Sequence, residues 1–257
     1  MSSYLDIKIE KDELSERLGG GLPRGSLICL EAPYGAGKSI LSQRVLYGLL
    51  KNNHTVGVAS TELTTLGFIE QMNSMDYPIE EFLLSGDLVF LPVYPLVGNR
   101  QVPPDLLYRL RNAAPLYSKE VVIIDTLSKL LTDQQRVFRE NPQLVVSNGG
   151  RAGREATPEE RLVLEVEETI YHMKRLAASG KTFIVTLEPD GLSPDILSLF
   201  REVSDVHISL DFNLVGNAAA RRIIVNRFSR AKNRFGDVIG YRVEPGVGLV
   251  IEIKSVT

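Results

Sequence analysis

"LEAPYGAGKSIL", residues 30–41, reads as a phosphate-binding loop whose first glycine has been replaced. The usual pattern is G-x-x-x-x-G-K-[ST]. Here Ala32 opens it, while Gly37, Lys38 and Ser39 close it. Such a loop needs backbone N–H groups that a phosphate can approach and a helix N-terminus behind them. It also needs a lysine that reaches the terminal phosphates and a hydroxyl for Mg²⁺. The flanks fit: the apolar run "SLICLEA" leads in as a strand and "KSILSQRVLYGLL" leaves as a helix. Alanine at the first position adds only a methyl, which is tolerated where the backbone φ is negative. Pro33, Tyr34, Gly35, Ala36, Gly37, Lys38, Ser39 and Ile40 are therefore the expected binding loop for ATP with Mg²⁺. The bland alternative is a strand-to-helix turn with an incidental Lys-Ser; G-K-S at such a junction is the more specific signal.

The cation needs a second oxygen ligand, an aspartate at the end of a fully apolar strand. "EVVIIDTLSKL" supplies it as Asp125, so Ser39 and Asp125 are the expected metal ligands. An aspartate there also suits capping of the following helix, and the two roles are compatible. In the sequence, two further strands separate the loop strand from this one, as in ATPases that carry an extra strand between the two motifs.

Outward from these motifs, short β-rich runs alternate with segments of helical period. Strands are expected near 26–31, 55–60, 87–92, 120–125, 181–187 and 204–210, and helices over 38–51, 65–75, 103–113, 160–178 and 194–201. Strand–helix alternation implies right-handed crossovers and a largely parallel sheet with helices on both faces, an α/β fold. The end of the chain differs. "RRIIVNRF", "DVIGYRVE" and "GLVIEIK" are closely spaced strands joined by turn residues, which argues for C-terminal antiparallel hairpins added to that sheet. The stretch 132–158 is polar and turn-rich; a loop that long is functional or mobile. A single domain over 1–257 with this insertion is expected, since α/β domains often reach this length.

Composition bounds the setting. The 257 residues are 44% apolar and 24% charged, which is enough for one core. A net charge of −3 argues against a protein built to coat nucleic acid or an anionic membrane. The single cysteine, Cys29, excludes an internal disulfide framework and suits a reducing cytosol. No apolar stretch approaches the roughly 20 residues of a membrane span, and the start is too acidic for a signal peptide. A cytoplasmic chain is expected, with no direct membrane insertion.

Together, "LGGGLPRGSLICLEAPYGAGKS", "VGVASTELT", "VVIID", "TFIVTLEPD" and "REVSDVHISL" resemble the KaiC-like branch of the RecA superfamily. "LGGGLPRGS" is the most distinctive piece. Within that branch, "VNRFSRAKNRFGDVIGYRVEPGVGLVIEI" on a single core domain is similar to the nucleotide-binding components of the archaeal motility motor, the archaellum. The resemblance covers nearly the whole chain apart from 132–158. It implies a RecA-like core and an ATP-binding regulatory or assembly subunit that forms a ring, with a hexamer the expected size. The implied partners are the archaellum motor ATPase and its membrane-bound scaffold proteins, at the membrane base.

The resemblance also sets expectations for turnover. Relatives of this branch carry two adjacent glutamates after the second core strand, where this chain has Glu62 followed by Leu63. Glu62 is the candidate for orienting the attacking water, and the missing second carboxylate implies slow or absent hydrolysis. A first-turn acid favoured by the next helix's dipole is the alternative for Glu62. Glu188 is either a γ-phosphate sensor or a solvated acid at a strand end. In the family a C-terminal hairpin sends a lysine and an arginine to the next subunit's nucleotide. Here Arg227, Arg230 and Lys232 fall near that position without a unique register, among further cations at Arg221, Arg222 and Arg234. A solvated basic hairpin is the alternative. His54, His172 and His207 lack ligand spacing. A DNA-dependent ATPase of recombination or repair is the competing function, but it would want a basic groove with stacking aromatics. The 132–158 stretch offers only Phe138 as an aromatic, and the chain is acidic, so no nucleic-acid partner is expected.

Overall fold

Every residue from Leu27 to Glu31 is buried, and the two faces of this strand bury different neighbours. Ile28 and Leu30 join one apolar cluster and Leu27 and Cys29 another. That is the period-two alternation of a strand covered on both sides. The computed structural model describes residues 2–10, 12–93, 102–141, 157–215 and 218–252. Eleven strands occur among them: β1 (Tyr4–Leu5), β2 (Leu22–Pro23), β3 (Leu27–Glu31), β4 (Val56–Ser60), β5 (Leu88–Pro92), β6 (Val121–Asp125), β7 (Thr182–Leu187), β8 (Val206–Val215), β9 (Ala218–Phe228), β10 (Val238–Glu244) and β11 (Gly248–Glu252). β1 and β2 pair with each other; the rest form one sheet in the order β11-β10-β9-β8-β3-β7-β6-β4-β5. From β8 to β5 every pairing is parallel, and from β8 to β11 every pairing is antiparallel. The largely parallel core with antiparallel C-terminal strands is thus as expected.

The two faces are covered by different means. The helices Leu127–Glu140, Pro158–Ala178 and Pro194–Val203 lay Leu130, Val166, Phe200 and their neighbours on one face. On the other face lies the helix Lys38–Lys51, itself buried on nearly all sides, by the N-terminal segment among others. A buried ion pair locks that segment in place. Arg44 Nε and Nη2 donate to Asp12 at 2.5 and 2.6 Å, and Nη1 donates to the Ile7 carbonyl at 2.7 Å. Both carboxylate oxygens are satisfied, so the pair fixes a unique docking; removing either partner alone would strand a buried charge.

Several expectations need correction. Residues 132–140 are the second half of the helix Leu127–Glu140, not part of a loop. Leu127, Leu130, Leu131, Gln134, Val137 and Phe138 form its buried stripe, and the polar Gln134 masks that period in the sequence. Gln134 is accommodated because its Nε2 donates to the Pro104 carbonyl at 2.7 Å. At the other end, Thr157 and Glu160 form a capping box that starts the helix Pro158–Ala178. The remainder of the expected insertion lies outside the described residues. The expected helix over 103–113 is instead Leu106–Arg111, followed by a separate turn Ala114–Tyr117 with a proline in its first turn. The sequence reading also missed the helix Glu80–Ser85 and the β1–β2 pairing.

Candidate functional site

In space, one strand, β7, lies between the loop strand β3 and the Asp125 strand β6. The carboxyl ends of β3, β7 and β6 therefore open side by side, which is where parallel α/β sheets bind ligands. The loop leaves β3 with the Ala32 N–H donating to the Leu187 carbonyl at 3.0 Å. Ala32 is not among the positive-φ residues, which is why a methyl fits where the motif usually has glycine. Gly35 and Gly37, with φ of 79° and 94°, carry the left-handed turns that a side chain would strain. No backbone acceptor among the described residues takes the N–H groups of Gly37, Lys38 or Ser39. The first backbone bond of the helix runs from the Leu41 N–H to the Gly37 carbonyl. These free donors at a helix N-terminus make an anion cradle. Pro33 is half-buried, the Tyr34 ring is 85% exposed at the loop's tip, and Ile40 packs its side chain on the core.

Opposite the cradle sits Asp125, only 5% exposed. Its pKa is pushed up to about 6, chiefly by burial and further by the charge of Glu62. A hydrogen bond from Thr186, the Lys38 ammonium and a hydrogen bond with Ser39 act in the other direction. Thr186 Oγ1 donates to Asp125 Oδ1 at 3.0 Å and accepts the Thr126 N–H at 2.6 Å. To make that bond Thr126 adopts φ 55° and ψ 49°, a left-handed conformation that costs a β-branched residue about 1–3 kcal/mol. Lys38 Nζ lies 3.8 Å from Glu188 Oε2. Loop, lysine, serine and aspartate thus converge on one place, and Glu188 joins them. A carboxylate and a hydroxyl are hard oxygen donors of the kind Mg²⁺ takes alongside water and phosphate oxygens. A divalent cation would also hold the buried carboxylate ionised, so Ser39 and Asp125 fit the ion expected of them. No cluster of three or more His, Cys, Asp or Glu residues forms a metal site of its own among the described residues.

Glu62 is exposed beyond β4, close enough for its charge to act on Asp125. Leu63 turns the other way. It packs on the core beside Phe68 and Phe90, over a cavity of about 10 Å³ that Gln43, Ser60 and Asp125 also line.

The cations of the basic hairpin have different surroundings. Arg227 Nη1 donates to the carbonyls of Arg201, Glu202 and Ser204 at 3.0, 2.8 and 3.1 Å, capping the end of the helix Pro194–Val203. Arg230 donates to the carbonyls of Arg24 and Gly25 at 3.1 and 3.2 Å. Both guanidinium groups therefore bond carbonyls of their own chain, Arg227 at a helix end and Arg230 in the turn between β2 and β3. Arg222 pairs with Asp211, and Arg221 lies over the Phe212 ring, 5.2 Å from its centre. Lys232 and Arg234 are exposed and make no ion pair among the described residues. Sequence reading missed Thr186, whose signal was a polar residue inside the apolar strand "TFIVTL". It also missed Tyr241, for which no local pattern spoke.

The KaiC ATPase family matches this chain over residues 6–147. Proteins named archaeal flagellar ATP-binding protein FlaH are similar over nearly the full length. The one from Methanocaldococcus jannaschii is 32% identical over 97% of this chain and 96% of its own. The one from Methanococcus voltae is 31% identical over 98% and 99%. The chain belongs to the FlaH family. The crystal structure of the flagellar accessory protein FlaH from M. jannaschii superposes with a TM-score of 0.82 at 31% identity, covering 98% of this chain and 100% of that one. A KaiC-like protein from Pyrococcus horikoshii shares the fold, with a TM-score of 0.69 at 16% identity over 97% and 99% of the two chains. The fold is accordingly the RecA-type α/β core of KaiC-like proteins, and the FlaH family brings the whole length of the chain into that comparison.

Proposed function

We propose that this chain is an ATP-binding regulatory or assembly subunit of the archaellum motor, in which nucleotide acts as a switch and hydrolysis is slow. The convergence of the Gly37–Ser39 loop, Lys38 and Asp125 at the carboxyl ends of β3 and β6 carries the reading. The loop N–H groups and Lys38 would bind the phosphates, and Ser39 and Asp125 would hold Mg²⁺, which when bound would supply charge neutralisation. Glu62 orients water from an exposed position without a second carboxylate, because Leu63 is turned into the core. Single-turnover hydrolysis should therefore fall well below the roughly 1–100 s⁻¹ of efficient phosphoryl-transfer enzymes. A brisk turnover would sink the switch reading.

Ring assembly belongs to the same proposal. In a closed heterologous ring each subunit repeats one interface, so each hairpin meets the next subunit's phosphate site. With Arg227 and Arg230 engaged in their own chain, Lys232 and Arg234 are the cations left to make that contact. ATP adds a phosphate to be paired there, and a difference in affinity between open and closed states is what a switch requires. The assembled ring would dock on the motor ATPase and its scaffold at the membrane base; no described helix is long and apolar enough to cross a membrane. Mass measurement with ATP, ADP or no nucleotide tests this, with larger assemblies expected in ATP. Assembly that ignores nucleotide would defeat the ring-switch part alone.

A further inference from the structure

A buried hydrogen bond joins the antiparallel half of the sheet to the phosphate loop. Tyr241, on β10, is fully buried. Its hydroxyl donates to the carbonyl of Ala36, inside the phosphate loop. The phenol also abuts the next residue: a Cβ placed on Gly37 would lie 3.0 Å from the Tyr241 hydroxyl and 3.6 Å from Cε2 of its ring. A buried phenylalanine would fill the same space; the added oxygen matters only for the carbonyl it meets.

A planar trans peptide points its carbonyl and its N–H in opposite directions. Holding the Ala36 carbonyl toward β10 therefore turns the Gly37 N–H away from β10, and that N–H has no backbone acceptor among the described residues. We infer that Tyr241 is a positioning residue of the phosphate loop, fixing the Ala36–Gly37 peptide so that the Gly37 N–H stays aimed at bound phosphate. Burial pushes its phenol up to about 12, so the hydroxyl remains a donor throughout the physiological range. The inference rests on the nucleotide-site reading above and gives it a physical link to the C-terminal strands. Tyr241 pairs with Arg221 on β9 and with Ile251 on β11, so the sheet that carries the basic hairpin also holds the loop's peptide.

The test is Tyr241→Phe in the full chain, with ATP and ADP affinities measured by calorimetry well below the melting temperature. Wild type and Lys38→Ala are run in parallel. Backbone N–H groups of such loops cradle the α- and β-phosphates, which both nucleotides carry. Affinity should fall roughly 3- to 10-fold for ATP and ADP alike, leaving their ratio unchanged. A merely structural tyrosine would lower the melting temperature without moving either affinity of the folded protein. Unchanged affinities, or a loss confined to ATP, would overturn the inference. Tyr241→Met, a flexible apolar side chain of similar length, provides a second hydroxyl-free variant should phenylalanine pack poorly. Failure of the underlying reading looks different: wild type would not bind nucleotide, or Lys38→Ala would bind as well as wild type.

Discussion

The parallel and antiparallel halves of the sheet use their polar residues in opposite ways. At the ends of β3, β7 and β6 the polar groups converge on one open place: Lys38 stands 3.8 Å from Glu188, and Thr186 holds Asp125 at 3.0 Å. In the antiparallel half, Arg227 and Arg230 are spent on carbonyls of their own chain, and Tyr241 reaches across to the loop. The number of cations in a hairpin therefore says little about reach. An exposed guanidinium finds nearby backbone acceptors first, and such a set of bonds together is worth about 1 kcal/mol. On the proposed reading the parallel half binds and the antiparallel half braces, leaving Lys232 and Arg234 exposed to meet a neighbour.

The sharpest way to break that contrast is Lys38→Ala. It should weaken ATP binding on the order of 100-fold, since a charge-assisted contact to phosphate is lost. Circular dichroism should show the fold intact, because Lys38 belongs to neither apolar cluster. Equal affinity in the variant would mean that the parallel half is not the binding half.

Asp125→Asn comes next. Burial pushes the Asp125 carboxyl up to about 6, so the folded state holds its proton more tightly than the unfolded one. Stability of the nucleotide-free protein should then fall as pH rises from about 4 through about 6, by roughly 3 kcal/mol. The asparagine variant should lose that slope and melt higher at pH 7.5, while Mg²⁺ should no longer improve its nucleotide affinity. Melting curves across pH check the first point and titrations with and without Mg²⁺ the second. A wild-type slope of the opposite sign would contradict the burial argument.

Leu63→Glu probes the position where relatives of the KaiC-like branch carry a second carboxylate. Placed beside Phe68, Phe90 and Asp125, the new charge should cost about 1–2 kcal/mol of stability and leave turnover low. A stable variant with faster hydrolysis would show that position 63 can face the nucleotide after all.

The smallest effects separate the cations of the hairpin. Arg227→Ala should cost about 1 kcal/mol in thermal stability, because three helix-end carbonyls lose their donor. Lys232→Ala should change stability by less than about 0.5 kcal/mol and instead reduce ATP-promoted assembly in mass measurements. If the two variants exchanged these phenotypes, the division between bracing and reaching cations would be wrong.

The sequence by itself determined the parallel half. "SLICLEAPYGAGKS" and "VVIID" are strands buried on both faces that end in loop or carboxylate, and phosphate chemistry dictates those residues at those spacings. It also placed the C-terminal strands, whose turn residues are local signals. Tertiary structure alone decided the rest. The helix through 132–140 hid behind Gln134, whose partner carbonyl at Pro104 is thirty residues away. Leu63 packs beside its near neighbour Phe68 and against Phe90, which β5 brings in from a distant segment. Arg227 and Tyr241 found carbonyls that sequence distance cannot reveal, 205 residues away in the case of Tyr241. A motif is legible when its chemistry is carried by neighbours along the chain. A side chain's partner is not, when any orphan carbonyl brought near by the fold will accept its hydrogen bond.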